Sequence, residues 1–414
     1  MNRFFKDVRS IGRMKQDPLG RYLILYADQL HAQGYSRLSA RRILHLAADF
    51  SGWLRRKNVA AKGILTRHIA DFFHFRKRSG FGLQPGDRPA VAGFLSLLRQ
   101  HGVTTERTAP PPLTPSQKVL QEYDHYLQKE RSLSLATRIG YAPFVRQFLM
   151  SRFGRGGIDL SKLNARDVLA FVRRSAGQLK NKRALRMTTA LRSFLRFARY
   201  RGDITLDLAA CVPPVASWSL STLPKALPPA QVKQVLADAR KRRSPVARRD
   251  YAILLLLARL GLRGGEVCHL VLEDLDWENS RISIRGKGGR VTQLPLPADV
   301  GQAIAAYLQH NRPRVSDARR LFLRGRAPLA GFKGQRSVGS VVERALHRAK
   351  IDSPRKGTHQ FRHSLASAML QQGSSLSEIG ELLRHRSPNT TAIYAKVDLH
   401  SLRSLALPWP GGAS

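Results

Sequence analysis

Apolar residues recur at helical spacing along the N-terminal part of the chain. After Ser39 they return every three or four positions, at Ile43, Leu44, Ala47, Phe50 and Leu54. This spacing puts them on one face of a helix, and serine is a residue type that caps helix N-termini. A second helix is predicted from Thr66, and after the glycines and proline of residues 80–86 another covers residues 90–98. The pattern predicts a wholly helical domain over residues 1–108.

The same pattern starts again after the proline-rich linker at residues 109–112. Tyr26 and Leu30 in the first region correspond to Tyr123 and Leu127 in the second. In the same way, residues 36–42 correspond to 132–138, and residues 65–70 to 163–168. Because the spacing between partners is nearly constant, we interpret the two regions as copies of one module of four to five helices. The second copy is predicted to form a helical domain at residues 113–215.

The helix predicted over residues 181–201 has two chemically different faces. One face is apolar, and the other carries three arginines at helical spacing, Arg192, Arg196 and Arg199. No acidic residue lies between positions 180 and 201, so ion pairs within the helix cannot neutralise these arginines. We interpret them as contacts to nucleic-acid phosphates; the alternative is an ordinary solvated charged face.

The last part of the chain combines helices with one region of strands. Residues 250–260 form an apolar helical stretch. Residues 281–285 and 290–295 alternate between apolar and polar side chains and are joined by a glycine-rich loop, which predicts a β-hairpin. The predicted fold class is therefore mainly α: two helical domains, then a mostly helical α+β domain at residues 226–400 with a small antiparallel β-sheet.

Basic residues dominate the charge of the chain. It has 71 lysines and arginines against 28 aspartates and glutamates, a formal net charge of +43. The excess extends over residues 1–112, 113–222 and 223–414 alike. This distribution indicates an extended polyanion contacted by every domain, most simply duplex DNA. The alternative is a soluble protein that is merely rich in arginine.

The cysteines and the hydropathy of the chain indicate the cellular compartment in which the protein is expected. Cys211 and Cys268 offer neither a disulfide framework nor a zinc site, which suits a reducing cytosol. The N-terminus is basic but lacks the apolar segment of a signal peptide. The apolar run at residues 251–258 is too short to span a bilayer. We expect a soluble, cytoplasmic protein without a membrane partner.

The candidate chemistry lies near the C-terminus. His359 and Arg362 are three residues apart and share a helix face. Ser387 and Pro388 are typical of an N-cap and a first helical position, so we expect a short helix that carries Tyr394. A phenol is a poor nucleophile until its proton is removed. Cations and imidazoles grouped around it are what phosphoryl transfer without a metal requires.

This stretch resembles the C-terminal signature of the tyrosine recombinases, the phage integrase family. In that signature an H-x-x-R pair is followed by L-G-H and, nine residues after that histidine, by the nucleophilic tyrosine. His359 and Arg362 match the pair, His385 matches the later histidine, and Tyr394 lies nine residues beyond it. Arg384 stands where the family usually has glycine. We expect this departure to affect packing or DNA contact rather than chemistry.

The resemblance extends to two earlier elements. Arg263 takes the place of the family's first catalytic arginine in a G-L-R-x-x-E turn, with Glu266 as its acidic residue. Lys287, in the glycine-rich hairpin, corresponds to the family's mobile hairpin lysine. The resemblance implies that residues 113–215 are the core-binding domain, which clasps one face of the DNA, and that residues 226–400 are the catalytic domain.

The resemblance also implies which of the matched residues stabilise the negative charge of the transition state. Arg263 and Arg362 would neutralise the charge that develops on the attacked phosphate, and His385 would add a hydrogen-bond donor. Glu266 and His363 would have supporting roles in packing and orientation.

The proton transfers complete the expected mechanism. Tyr394 would attack phosphorus, His359 would accept its proton, and Lys287 would protonate the departing 5′-hydroxyl. The expected product is a 3′-phosphotyrosine linkage, which a second DNA end can attack without ATP, metal or any cofactor. Three alternatives stay open: a catalytically inactive DNA-binding relative, a type IB topoisomerase, and a metal-dependent nuclease.

The resemblance implies partners as well. The expected partners are double-stranded DNA with inverted-repeat sites and further copies of the chain, a dimer on each site and a tetramer in the synapse. The apolar C-terminal tail at residues 401–414 would pack on a neighbouring protomer or fold back on its own domain. The additional N-terminal domain favours an integrase or transposase of a mobile element over a housekeeping resolvase.

Overall fold

The computed structural model describes residues 4–5, 12, 17, 19–104, 113–154, 156–216, 223–286, 289–314, 318–353 and 356–397. The chain divides into two compact units: residues 1–106 together with 222–414, and residues 107–221. The fold is mainly helical with a small antiparallel sheet, which confirms the predicted fold class. The predicted C-terminal tail at residues 401–414 lies outside the described residues.

The N-terminal part of the first unit is a helical module with its own apolar core. Its described helices are α1 Gly20–Ala32, α2 Arg37–Arg56, α3 Arg67–Arg78 and α4 Asp87–Gln100, with a 3-10 turn at Ala61–Gly63. The predicted cap of α2 is wrong by three residues. Ser36 is the N-cap, and its side chain accepts the backbone N–H of Ser39. Both serines precede the same apolar face, so the hydrophobic pattern did not distinguish them.

The turn between α1 and α2 contacts the C-terminal part of the same unit. The backbone N–H of Leu329 donates to the carbonyl of Gln33 at 2.9 Å. Gly34 has φ +74°, and a Cβ atom at this position would collide with the side chain of Leu329. Only glycine fits both the backbone conformation and the close approach.

The second unit is a helical module with a separate core. Its described helices are α5 Pro115–Lys129, α6 Leu135–Phe153, α7 Ala165–Ala176 and α8 Asn181–Tyr200, with a 3-10 turn at Leu160–Lys162. Local sequence fixes where they begin. Thr114 and Gln117 form a reciprocal capping box at the start of α5, with Pro115 at the first helical position. Asn164 and Asp167 form a second box at the start of α7.

The C-terminal part of the first unit is built around one apolar helix. Its helices are α9 Pro229–Lys241, α10 Ala247–Arg259, α11 Gly264–His269, α12 Ala298–His310, α13 Gln335–Arg348, α14 His359–Gln371, α15 Leu376–Leu382 and α16 Pro388–Thr391. Short 3-10 helices cover Leu272–Asp274 and Ala392–Val397. Helix α10 packs against α9, α12, α13 and α14, which explains why its residues 251–258 are all apolar.

The sheet has three antiparallel strands in sequence order, β1 Leu275–Asp276, β2 Arg281–Arg285 and β3 Val291–Pro295. The predicted hairpin is confirmed as β2 and β3, in which Ile282 pairs with Leu294 and both side chains are buried. The first strand was not predicted because two residues carry no recognisable alternation.

Candidate active site

Arg362 is the buried centre of the site. It lies in the first turn of α14, and only 3% of its surface is exposed. Its Nη1 donates to the carbonyl of Gly261 at 2.6 Å, and its Nη2 donates to the carbonyl of Leu383. One guanidinium therefore joins the turn that carries Arg263 to the turn that carries His385. Burial, followed by the charge of Arg263, lowers the pKa of Arg362 to about 10, so the group stays cationic at neutral pH.

Gly261 makes this arrangement possible. It has φ +55°, and a Cβ atom there would lie 2.6 Å from the side chain of Leu383 and 3.7 Å from that of Arg362. The glycine of the predicted G-L-R turn therefore has a steric role in addition to its backbone conformation.

Arg263 and Glu266 form the N-terminal cap of α11. Glu266 Oε2 accepts the backbone N–H of Arg263 at 2.8 Å, and Oε1 accepts its Nη1 at 2.9 Å. The Arg263 side chain is 37% exposed and lines a cleft of about 1000 Å³, together with Arg285, Arg319 and Arg320. A concave surface bordered by several guanidiniums attracts a polyanion.

Arg384 reaches the same carboxylate from the opposite turn. Its Nη2 lies 3.0 Å from Glu266 Oε2. This residue was expected to affect packing or DNA contact; its side chain is mostly buried and ion-paired inside the site. Burial raises the pKa of Glu266, but the hydrogen bond from the backbone of Arg263 and the charge of Arg384 outweigh it, so the pKa lies below its ordinary value.

Tyr394 lies beyond the short helix that was predicted to carry it. Helix α16 ends at Thr391, and the phenol belongs to the following 3-10 helix. The tyrosine is 1% exposed and packs against Ile379 and Leu383. Burial raises the pKa of Tyr394 to about 12, although the charge of Arg362 acts in the opposite direction. The phenol therefore keeps its proton at neutral pH.

His363 is the imidazole with a described hydrogen bond to the phenol. Its Nδ1 lies 2.9 Å from the hydroxyl oxygen of Tyr394. His359, which was expected to accept the proton, is exposed at the first position of α14, and its ring centre is 6.4 Å from that of His363. His363 had been assigned a supporting role because the family signature names the other imidazole. The helical spacing of residues 359, 362 and 363 was the signal that could have identified it.

His385 contacts the short helix α16, which precedes Tyr394. Its Nδ1 lies 2.7 Å from Thr391 Oγ1. Burial, followed by the charge of Arg362, lowers the pKa of His385 to about 4. The imidazole is therefore neutral at pH 7 and carries a single N–H, which can serve as a hydrogen-bond donor.

The remaining predicted site residues lie outside this cluster. Lys287 falls outside the described residues, whereas its hairpin neighbours Arg285 and Gly286 line the cleft beside Arg263. On α8, Arg192 Nη2 donates to the carbonyl of Val212 at 2.9 Å. Sequence reasoning considered only partners within that helix and missed this bond.

The other two α8 arginines differ in their partners. Arg199 pairs with Asp207 at 3.3 Å, an acidic partner that lies outside the helix. Arg196 is exposed.

Within the described ranges, no group of three or more histidine, cysteine or acidic side chains is placed to hold a metal ion. Each helix in the described part of the chain is too short or too polar to cross a membrane.

Comparison with known proteins identifies the family of the chain. Residues 225–400 match the model of the phage integrase family, and residues 120–202 match the phage integrase N-terminal SAM-like domain. Tyrosine recombinase XerA of Thermococcus onnurineus is 33% identical over 69% of this chain and 93% of its own length. Tyrosine recombinase XerD of Mycobacterium tuberculosis (strain ATCC 25618 / H37Rv) is 32% identical over 70% of this chain and 96% of its own length.

The chain is a tyrosine recombinase of the phage integrase family. Its reaction is site-specific cleavage and rejoining of DNA through a tyrosine. A Sinorhizobium fredii (strain NBRC 101917 / NGR234) protein, y4rA, described provisionally as an integrase/recombinase, is 49% identical over 98% of both chains. This alignment includes the N-terminal module, which both family models leave out.

Solved structures share the recombinase fold. XerH recombinase in a post-cleavage complex with palindromic difH DNA has a TM-score of 0.59 at 19% identity and covers 74% of this recombinase and 99% of the XerH chain. A lambda integrase dimer bound to a COC′ core site has a TM-score of 0.51 at 17% identity and covers 67% of this chain and 94% of the integrase chain.

Proposed function

We propose that the recombinase cleaves each strand by direct attack of the Tyr394 oxygen on phosphorus. The new bond joins the phenol oxygen to the 3′-phosphate, and the bond from phosphorus to the 5′-oxygen breaks. The phenol proton goes to His363 Nδ1, and the departing 5′-oxygen takes a proton from Lys287. No oxidant, reductant or nucleotide is consumed, so a second 5′-hydroxyl can reverse the step on another strand.

His363 replaces His359 as the proposed proton acceptor. The observation that carries this assignment is the 2.9 Å distance from His363 Nδ1 to the Tyr394 hydroxyl. Because burial raises the phenol pKa to about 12, a base in contact with the hydroxyl is needed for attack at neutral pH.

The other groups of the cluster would stabilise the pentavalent transition state. Arg263 and Arg362 supply forked donors and positive charge to the non-bridging oxygens. His385, neutral at pH 7, adds one N–H. His359, exposed at the N-terminal end of α14, would contact the same phosphate where the helix dipole favours an anion.

Lys287 as the proton donor can be tested by changing the leaving atom. A strand whose bridging 5′-oxygen is replaced by sulfur leaves as a thiolate, which needs no proton. We expect Lys287→Ala to cleave the oxygen strand about 10²- to 10⁴-fold more slowly than wild type and to regain most of this loss on the sulfur strand. Equal slowing on both strands would remove Lys287 from this role.

We propose as DNA partner a duplex in which two inverted repeats flank a short spacer, with a dimer on each site and a tetramer in the synapse. Recombination exchanges four strand ends, each of which needs one nucleophile. The DNA that flanks the gene is the substrate to test, with products analysed by size after incubation in a chelator. Relaxation of any plasmid, whatever its sequence, would instead favour a topoisomerase. Synaptic DNA that carries only monomers would contradict the assembly.

The N-terminal module is proposed to be a second copy of the core-binding module and to contact DNA outside the core site. Two observations support the duplication. The hydroxyl groups of Tyr26 and Tyr123 donate to the carbonyls of Ala90 and Ala190, and each tyrosine ring lies 5.4 Å from a phenylalanine, Phe94 and Phe194 respectively. Hydroxyl-radical footprinting of the full chain should show protection beyond the inverted repeats. Protection confined to the repeats would contradict DNA contact by this module.

A second DNA-contacting module suits the recombinase of a mobile element, because its recombination sites can extend beyond the core repeats. Integration or transposition is therefore the proposed outcome. The test places two copies of the flanking DNA either on two separate plasmids or together on one plasmid. The rate of joining between the two plasmids is then compared with the rate of resolution within the single plasmid.

A further inference from the structure

Arg384 has a backbone conformation that arginine rarely adopts. Its φ is +56°, in the turn that ends α15. The backbone N–H of Arg384 donates to Glu381 O, and that of His385 donates to Gly380 O, both at 2.9 Å, which closes the helix end. Glycine is the usual residue at such a position because a Cβ atom is unfavourable there. An arginine at this position therefore needs a compensating role for its side chain.

The side chain is buried and directed into the active site. It is 11% exposed; Nη1 donates to the carbonyl of Leu382 at 3.1 Å, and Nη2 lies 3.0 Å from Glu266 Oε2. The other oxygen of the same carboxylate holds the guanidinium of Arg263 at 2.9 Å. One buried carboxylate is therefore shared by two arginines from two different turns.

This sharing has a consequence for Arg263. Its partly exposed side chain lines the cleft, and its described side-chain partner is Glu266. Because both oxygens of the Glu266 carboxylate are bonded to arginines, the carboxylate has one orientation. The Arg263 guanidinium that is bonded to it is therefore fixed in position as well. Arg384 also adds a second link between the Arg263 turn and the His385 turn, beside the link through Arg362.

We propose that Arg384 is a positioning residue that fixes the Glu266 carboxylate and, through it, the Arg263 guanidinium against the scissile phosphate. The proposal rests on the proposed role of Arg263 in cleavage. It differs from a direct DNA contact, because the Arg384 side chain is only 11% exposed and both its terminal nitrogens are bonded within the protein, to Leu382 and Glu266. It also differs from a purely structural role. Replacing Arg384 by glycine would relieve the unfavourable backbone conformation, and the proposal still expects the variant to lose activity.

The test is Arg384→Gly in the full-length recombinase. We expect its single-turnover cleavage rate at saturating DNA to fall about 10- to 100-fold, as for other small displacements of a transition-state group. Its Kd for uncleaved DNA should stay within about twofold of wild type, and its Tm should not fall. Arg384→Lys, which keeps the charge without the fork, should recover only part of the rate.

Lys350→Gly is the matched control. Lys350 is also a basic residue at positive φ, +53°, and it is exposed after α13, outside the active-site cluster. This exchange removes the same charge and relieves the same backbone conformation, and it should leave the cleavage rate unchanged.

A double-mutant cycle with Glu266→Gln separates positioning from an independent effect. If Arg384 acts through Glu266, the double variant cleaves no more slowly than the slower single variant. Multiplied losses would overturn the proposal, and so would a wild-type cleavage rate in Arg384→Gly or a defect confined to DNA affinity. If wild-type protein cleaves while Arg384→Gly is unaffected, only this inference fails; if wild type forms no covalent complex, the proposed function fails.

Discussion

The Nδ1 atom of His363 lies 2.9 Å from the hydroxyl oxygen of Tyr394. We expect His363→Gln to reduce the single-turnover cleavage rate about 10²- to 10⁴-fold, because the buried phenol loses its proton acceptor. His359→Gln should reduce the rate less, since that imidazole is proposed to contact phosphate instead. Rates measured at saturating DNA, between pH 6 and 9, provide the comparison. A larger loss in His359→Gln than in His363→Gln would return the acceptor role to His359.

Gly261 should be the most sensitive glycine of the site. Gly261→Ala introduces a Cβ atom 2.6 Å from the Leu383 side chain at φ +55° and displaces the Arg362 guanidinium from its two carbonyls. We expect it to lower the free energy of unfolding by about 3 kcal/mol or more and to abolish cleavage.

Gly373→Ala is the control for backbone conformation alone. Gly373 has φ +88°, and a Cβ atom there would have no neighbour within 4 Å. Its cost should be about 1–2 kcal/mol, with cleavage retained. Chemical denaturation and a cleavage assay on both variants test the pair; equal destabilisation would show that packing at Gly261 contributes nothing.

The depressed pKa of His385 predicts how stability depends on pH. In the unfolded chain His385 takes up a proton near its ordinary pKa of 6.5, whereas in the folded protein it does so only near about 4. Between these values the unfolded state binds more protons, so stability falls as the pH falls from about 6.5 to about 4. His385→Gln should lose less stability over this window. Denaturation curves that shift in parallel for both proteins would contradict the assigned pKa.

The arginines of α8 should differ in their contribution to DNA affinity. Arg196 is exposed, whereas Arg192 is bonded to Val212 O. Arg196→Ala should weaken binding to all duplexes alike and reduce the slope of log K against log salt by about 1. Arg192→Ala should leave that slope unchanged and lower Tm instead. An unchanged slope in Arg196→Ala would remove α8 from the phosphate-contacting surface.

Periodicity and motif order predicted much of this recombinase. The apolar pattern identified the helices and the hairpin because each buries one continuous face or alternates over five residues. The ordered spacing from Arg263 to Tyr394 indicated the family, because it resembles the signature of the tyrosine recombinases. Lys287 stays a prediction, since it lies outside the described residues.

What sequence reasoning missed depends on contacts between distant segments. The pairing of Arg199 with Asp207 and the sharing of Glu266 by Arg384 join residues that no helical period relates. The contact between His363 and the Tyr394 hydroxyl depends on where the 3-10 helix after Thr391 places the phenol. That helix has only six residues, which is too short for a periodic sequence pattern to predict it.

The most direct test of the account is to trap the covalent intermediate. A duplex nicked a few bases beyond the cleavage point loses its short 5′-hydroxyl fragment, so religation is prevented. In chelator, wild type should accumulate a protein–DNA adduct whose peptide map locates the 3′-phosphate on Tyr394, and Tyr394→Phe should bind the same duplex without forming an adduct. An adduct that persists in Tyr394→Phe, or no adduct with wild type on DNA that it binds and recombines, would contradict the account.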